Sequence, residues 1–69
     1  MLTGEVTYIS NFKEGYFIIE SEGKEYKCRT SESHWDKIYD YLTKPIKVAI
    51  INKFFKTETM DWIYTVSIV

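Results

Sequence analysis

Cysteine occurs once in this chain, at Cys28, histidine once, at His34, and proline once, at Pro45. A lone cysteine excludes an internal disulfide framework and fits a reducing, cytoplasmic setting. With so few soft ligands no zinc spacing exists, and no metal site is expected. Three glycines form no phosphate-cradling loop, and the carboxylates show no paired acid–base pattern, so neither catalysis nor a cofactor is expected. No apolar run approaches the ~20 residues of a membrane span, and the first residues lack the basic and apolar regions of a signal peptide. A membrane partner is therefore not expected. Basic excess is missing too: nine Lys and Arg face ten Asp and Glu, a formal net charge of -1. That balance argues against a protein that coats duplex nucleic acid through phosphate contacts, although it says little about any one face.

What is present is apolar and aromatic. Of 69 residues, 45% are hydrophobic and 17% aromatic, with six Tyr, four Phe and two Trp. This is the composition of a folded chain, and its length sets one domain, residues 1–69, with a small core.

Residues 2–10, LTGEVTYIS, are rich in β-branched and aromatic side chains and end at the Ser10-Asn11 turn signal, which predicts a first strand. Gly4 inside it points to a bulge or sharp bend. A second strand is expected over residues 15–20, a hairpin turn at Ser21-Glu22-Gly23, and a third strand over residues 24–30. In that third strand Tyr26 and Cys28 fall on one side and Glu25, Lys27 and Arg29 on the other, so Cys28 reads as a small core residue. The period then changes. In SESHWDKIYDYL, Ser33 is the expected cap, with Asp36 three residues on, and Trp35, Ile38, Tyr39 and Leu42 follow at helical spacing. His34 falls in the first turn as a surface residue. Pro45 bars continuation of the helix. IKVAII returns to period two with Ile46, Val48 and Ile50 on one face, and NKFFKTET is expected to connect it to a last strand in which Trp62, Tyr64, Val66 and Ile68 share a core face.

Three strands, one short helix and two strands in so short a chain fit an all-β fold, a five-stranded Greek-key OB-type barrel with its helix between strands three and four. An SH3-like barrel is the nearest competitor, and the helix placement favours the OB type.

From Gly4 to about Arg29 the sequence resembles a cold-shock domain, a small OB barrel that binds single-stranded RNA and DNA. The matching stretches are GEVTYI, KEGYFI and YKCRT, against family patterns of the kind GxVKWF, KGFGFI and VFVHF. Gly4, Val6 and Tyr8 fall on the family's glycine, valine and stacking tryptophan. Lys13, Phe17 and Ile18 match directly, whereas Gly15 and Tyr16 are permuted. Lys27 and Arg29 replace an outward aromatic and a histidine, and beyond Arg29 the match lapses.

The resemblance implies an outward Phe17 as stacking residue; beside it the cations Lys13, Lys27 and Arg29 are expected to supply phosphate contacts. The competing reading buries Phe17 under a loop and pairs the cations with Glu20, Glu22 or Glu25. Tyr8 is likewise open: strict alternation places it in the core, and the resemblance places it outside. Between Lys44 and Lys56 there are four lysines and no acidic residue, and Phe54 and Phe55, flanked by Lys53 and Lys56, fall in the expected connection, with at least one Phe exposed. Two functions follow. One is weak, sequence-tolerant binding of single-stranded RNA or DNA through Tyr8, Lys13, Phe17, Lys27, Arg29, Lys53, Phe54, Phe55 and Lys56. The other is a protein-interaction module, a small accessory or phage-type protein that docks on a partner or self-associates as a homo-oligomer.

Overall fold

The computed structural model of the chain describes residues 1–11, 13–42 and 44–69. Its elements are β1 (Leu2–Ile9), β2 (Phe17–Ser21), β3 (Lys24–Arg29), α1 (Glu32–Ile38) continued by a 3-10 turn at Tyr39–Tyr41, β4 (Pro45–Lys56) and β5 (Asp61–Ile68). The strands close into a barrel in the order β1-β2-β3-β5-β4, with β4 returning to β1. The β3–β5 pair is parallel and the rest are antiparallel. This is the expected OB-type barrel, with its helix between the third and fourth strands.

Two irregularities decide which side chains face inward. The register of β1 against β2 shifts between Val6 and Tyr8, so Thr7 is an extra residue and the period-two phase flips there. Val6 then points into the core while Tyr8 stands 46% exposed on the outer face. An equivalent shift in β4, between Ile50 and Asn52, makes Ile51 the extra residue. Gly4 serves close approach: a Cβ there would fall on the carbonyl oxygen of Glu20 and on the Ile19 side chain. The β2–β3 turn places Glu22 and Gly23 both at positive φ, the backbone of a tight two-residue hairpin.

Val6, Ile19, Cys28, Ile38, Ile46, Val48 and Val66 fill the interior. Trp35 of α1 packs edge-on against Phe17, with ring centroids 6.0 Å apart, and closes one end of the core. Burial pushes the Cys28 thiol up to about 12, so it is protonated at physiological pH. The helix begins one residue before the expected cap: Ser31 is the N-cap, and Ser33 lies inside the helix with its Oγ 3.1 Å from that of Ser31. Trp35 and Ile38 are buried, whereas Tyr39 and Leu42, expected on the same apolar face, are exposed because the helix tightens into the 3-10 turn after Ile38. Among the described residues no helix is long and apolar enough to cross a membrane.

The expected connection NKFFKTET is mostly strand. β4 continues to Lys56, paired with β5 from Asn52↔Thr65 to Lys56↔Asp61, and the turn is confined to residues 57–60, with Met60 at positive φ. β1 pairs only with Pro45–Val48, so the far half of β4 extends past β1 with β5 as its one neighbour. β5 is itself paired with β3 over Ile63–Thr65, and beyond that Phe55–Lys56 and Asp61–Trp62 project as a two-stranded ribbon. Every residue from Ile50 to Met60 is exposed.

Candidate nucleic-acid interface

Residues directly opposite one another in a β ladder share a face. The pairs Tyr8↔Ile18, Ile18↔Lys27, Lys27↔Ile63 and Ile63↔Phe54 therefore trace one continuous outer face across β1, β2, β3, β5 and β4. At one end of this face lies an open groove of about 630 Å³. Its wall carries Lys13, Tyr16, Lys27, Arg29, Phe54 and Lys56, with Ile63 as an apolar floor and Glu14 as the only carboxylate.

Phe17, the expected stacking residue, is fully buried. Its partner Cys28 and its neighbour Ile9 are both core-facing, so β2 turns Phe17 and Ile19 inward and Tyr16 outward, opposite to the expected phase. The signal for the true phase lies in Glu20: counting back by twos from that exposed carboxylate places Ile18 and Tyr16 outside. Ser10 then fixes Tyr16. The Ser10 amide donates to the Tyr16 carbonyl at 2.9 Å, and the Tyr16 amide donates to Ser10 Oγ at 2.9 Å. Gly15, at φ 66°, and the Asn11 side chain accepting from the Glu14 amide complete the turn. The aromatic that β2 presents is thus Tyr16, whose ring lies 5.8 Å from that of Tyr8 at an interplanar angle of 34°.

Lys27 is held in place. Its ammonium sits 4.2 Å from the Tyr16 ring centroid and 3.3 Å from Asp61 Oδ2, the one ion pair among the described residues. Asp61 is held below its usual carboxylate range, first by a side-chain hydrogen bond from Thr59 and then by Lys27. Lys13, Arg29 and Lys56 make no ion pair among the described residues, so the expected pairing of cations with Glu20, Glu22 or Glu25 does not form. Those carboxylates lie away from the groove. Glu5, Glu20 and Glu25 stand directly opposite one another across β1, β2 and β3, an acidic row on the same outer face.

The structure divides the remaining expected residues between the two faces of the ribbon. Phe54 and Lys56 line the groove. Lys53 and Phe55 pair with Tyr64 and Trp62, on the side that continues the core face beyond the barrel. Trp62, expected in the core, is 50% exposed there because no other strand covers the ribbon. Phe55 packs edge-on against Trp62 at 5.4 Å, and the Lys53 ammonium lies 5.1 Å over the Trp62 ring.

A second, smaller notch of about 220 Å³ adjoins the groove, lined by Gly15, Arg29, Thr30, Glu32 and Trp35. Among the described residues no group of three His, Cys, Asp or Glu side chains is placed to hold a metal ion. No family model, curated protein or solved structure matches this chain significantly, so the likeness of residues 4–29 to a cold-shock domain rests on the quoted residues themselves.

Proposed function

We propose that this barrel is a binding module, not an enzyme, and that its outer face takes single-stranded RNA or DNA. The observation that carries the proposal is charge sorting: in a chain of net charge -1, four cations and one carboxylate line the groove, with two tyrosine rings at its edge. Bases would stack on Tyr16, Tyr8 and Phe54, and the backbone would follow Lys13, Arg29 and Lys56. Each stacked base contributes about 1–3 kcal/mol. Lys27 acts chiefly by holding Tyr16. The acidic row at Glu5, Glu20 and Glu25 keeps phosphate from the other end of the face, so the strand is confined to the groove side. A buried Cys28 and the absence of any disulfide partner suit a cytoplasmic location.

Fluorescence anisotropy with short labelled oligonucleotides tests this reading. Affinity should fall as salt rises, with a log–log slope near 2 in magnitude for three phosphate contacts, at about 0.7 per contact on single strands. Tyr16→Ala combined with Arg29→Ala should weaken binding at least tenfold, roughly the loss of one stacked base. Absence of binding at low salt, or full binding by the double variant, would overturn it.

A second reading, docking on a protein partner or on a second copy of the chain, draws on the ribbon. The β4 edge from Ile50 to Lys56 has no strand on its outer side, and Ile51, Phe55, Met60 and Trp62 are exposed. Such an edge pairs readily with another chain, although Lys53 and Lys56 on it oppose self-pairing. Light scattering at rising concentration separates the two: a strict monomer removes the self-association form of this reading.

A further inference from the structure

The notch beside the groove has a chemistry that the groove lacks. Arg29 lines both, so a strand lying in the groove passes its mouth. Within the notch Arg29 and Glu32 carry opposite charges yet lie further apart than ion-pair distance, each exposed and without a side-chain hydrogen bond among the described residues. Trp35, only 6% exposed, supplies the aromatic wall. Its indole Nε1 is the one buried side-chain polar atom without a partner among the described residues. Buried polar groups in folded proteins are nearly always satisfied, and this donor belongs to a residue that lines the notch. Thr30 is fixed as scaffold, its hydroxyl donating to the Val66 carbonyl at 2.9 Å.

Resting on the single-strand reading above, we infer that this notch accepts one guanine base of the bound strand, with Glu32 and Arg29 reading its Watson–Crick edge. A carboxylate offers two acceptor oxygens and a guanidinium offers only donors. Guanine alone among the bases presents two adjacent N–H donor groups, at N1 and N2, next to an acceptor, O6. The N1 and N2 donors meet Glu32, and O6 meets Arg29. Adenine and cytosine place a ring-nitrogen lone pair beside their single amino group, against the carboxylate. Thymine and uracil flank one N–H with two carbonyls, of which one would also face the carboxylate. The groove holds the strand without regard to sequence, and this one position selects the base.

Anisotropy with octamers separates the two levels: all-thymine, and the same strand with one central guanine, hypoxanthine or adenine. The guanine strand should bind roughly fivefold or more tightly than all-thymine, the lower end of what one bidentate base contact provides. Hypoxanthine, which lacks the 2-amino group, should fall between. Glu32→Gln should abolish the preference without lowering affinity for the all-thymine strand. Adenine binding as tightly as guanine, or a preference that survives Glu32→Gln, overturns the inference and leaves the groove reading intact. Absence of binding by every strand overturns both. Guanosine 5′-monophosphate competing at concentrations equal to the strand's would overturn recognition within a strand in favour of a free-nucleotide site.

Discussion

The barrel body and the β4–β5 ribbon are built from the same residue types in the same alternation, yet they end in different environments. In the body, one residue in two is sealed: Val6, Phe17, Ile19, Cys28, Val48 and Val66 lie against one another inside the closed sheet. Tyr64 still packs on the core, but past it the inward row continues as Lys53, Phe55 and Trp62, all exposed. Alternation assigns a side chain to a face. Whether that face is an interior depends on how many strands surround it.

Substituting matched aromatics in the two regions sharpens the contrast most. Phe17→Ala should cost about 3–5 kcal/mol, as for large-to-small changes in closed cores, a large part of the stability of so small a domain. Urea denaturation would then find the variant unfolded or nearly so, whereas Phe55→Ala should keep most of its stability. An equally mild Phe17 variant would mean that the body is not the sealed core described. Gly4→Ala ranks next, because its methyl group has no space between β1 and β2; a loss of about 1–3 kcal/mol is expected for an overpacked site, read from the same denaturation curves. In the ribbon, the Phe55–Trp62 contact should yield a coupling of about 0.5–1.5 kcal/mol in a double-mutant thermal cycle. A coupling near zero would show that the two rings do not hold the ribbon's inner face.

Relief of the acidic row comes fourth. Glu20→Gln removes the central carboxylate of three and should stabilise the body by about 0.2–1 kcal/mol, measured by thermal melting. The smallest effect concerns the junction of the two regions, where Asp61 meets Lys27. The folded-state pKa of Asp61 lies below its ordinary value, so its contribution to stability is complete above the ordinary carboxylate pKa and is lost as pH falls through the lowered one. Asp61→Asn should flatten that acid limb of the melting temperature against pH, and an unchanged limb would remove Asp61 from the account.

Much of the fold was legible because each period change coincides with a boundary: alternation to Arg29, helical spacing through Trp35 and Ile38, then Pro45. The outward side of β3, with Lys27 and Arg29, followed from alternation alone. Tyr8 stays open in the sequence because Thr7 is supernumerary, a bulge that single-strand alternation cannot see. Phe17 is the one misplacement: the cold-shock pattern sets it outside, whereas alternation counted back from Glu20 sets it inside. The ribbon escapes a local reading of the sequence for a different reason. Asn52, Lys53 and Lys56 look like loop residues, and the true turn carries neither Gly nor Pro, so nothing local marks where β4 ends. Ile63 and Glu32 enter the site only through pairing and packing between segments distant in sequence, which no window of residues displays.

The parallel pairing of β3 with β5 gives the barrel a seam. Lys27 meets Ile63 and Arg29 meets Thr65, whereas every other pairing except that between β1 and β4 joins strands consecutive in the chain. A growing chain can form the β1-β2-β3 meander early, but the seam waits until residues 61–68 have emerged, and the entropy of closing that long loop falls due in one step. Both walls of the groove meet across this seam, Lys27 and Arg29 on one side and Phe54 and Lys56 on the other. The proposed affinity for a single-stranded nucleic acid should therefore appear only once β5 is in place, so that the proposed binding surface and the completed fold arise in the same event.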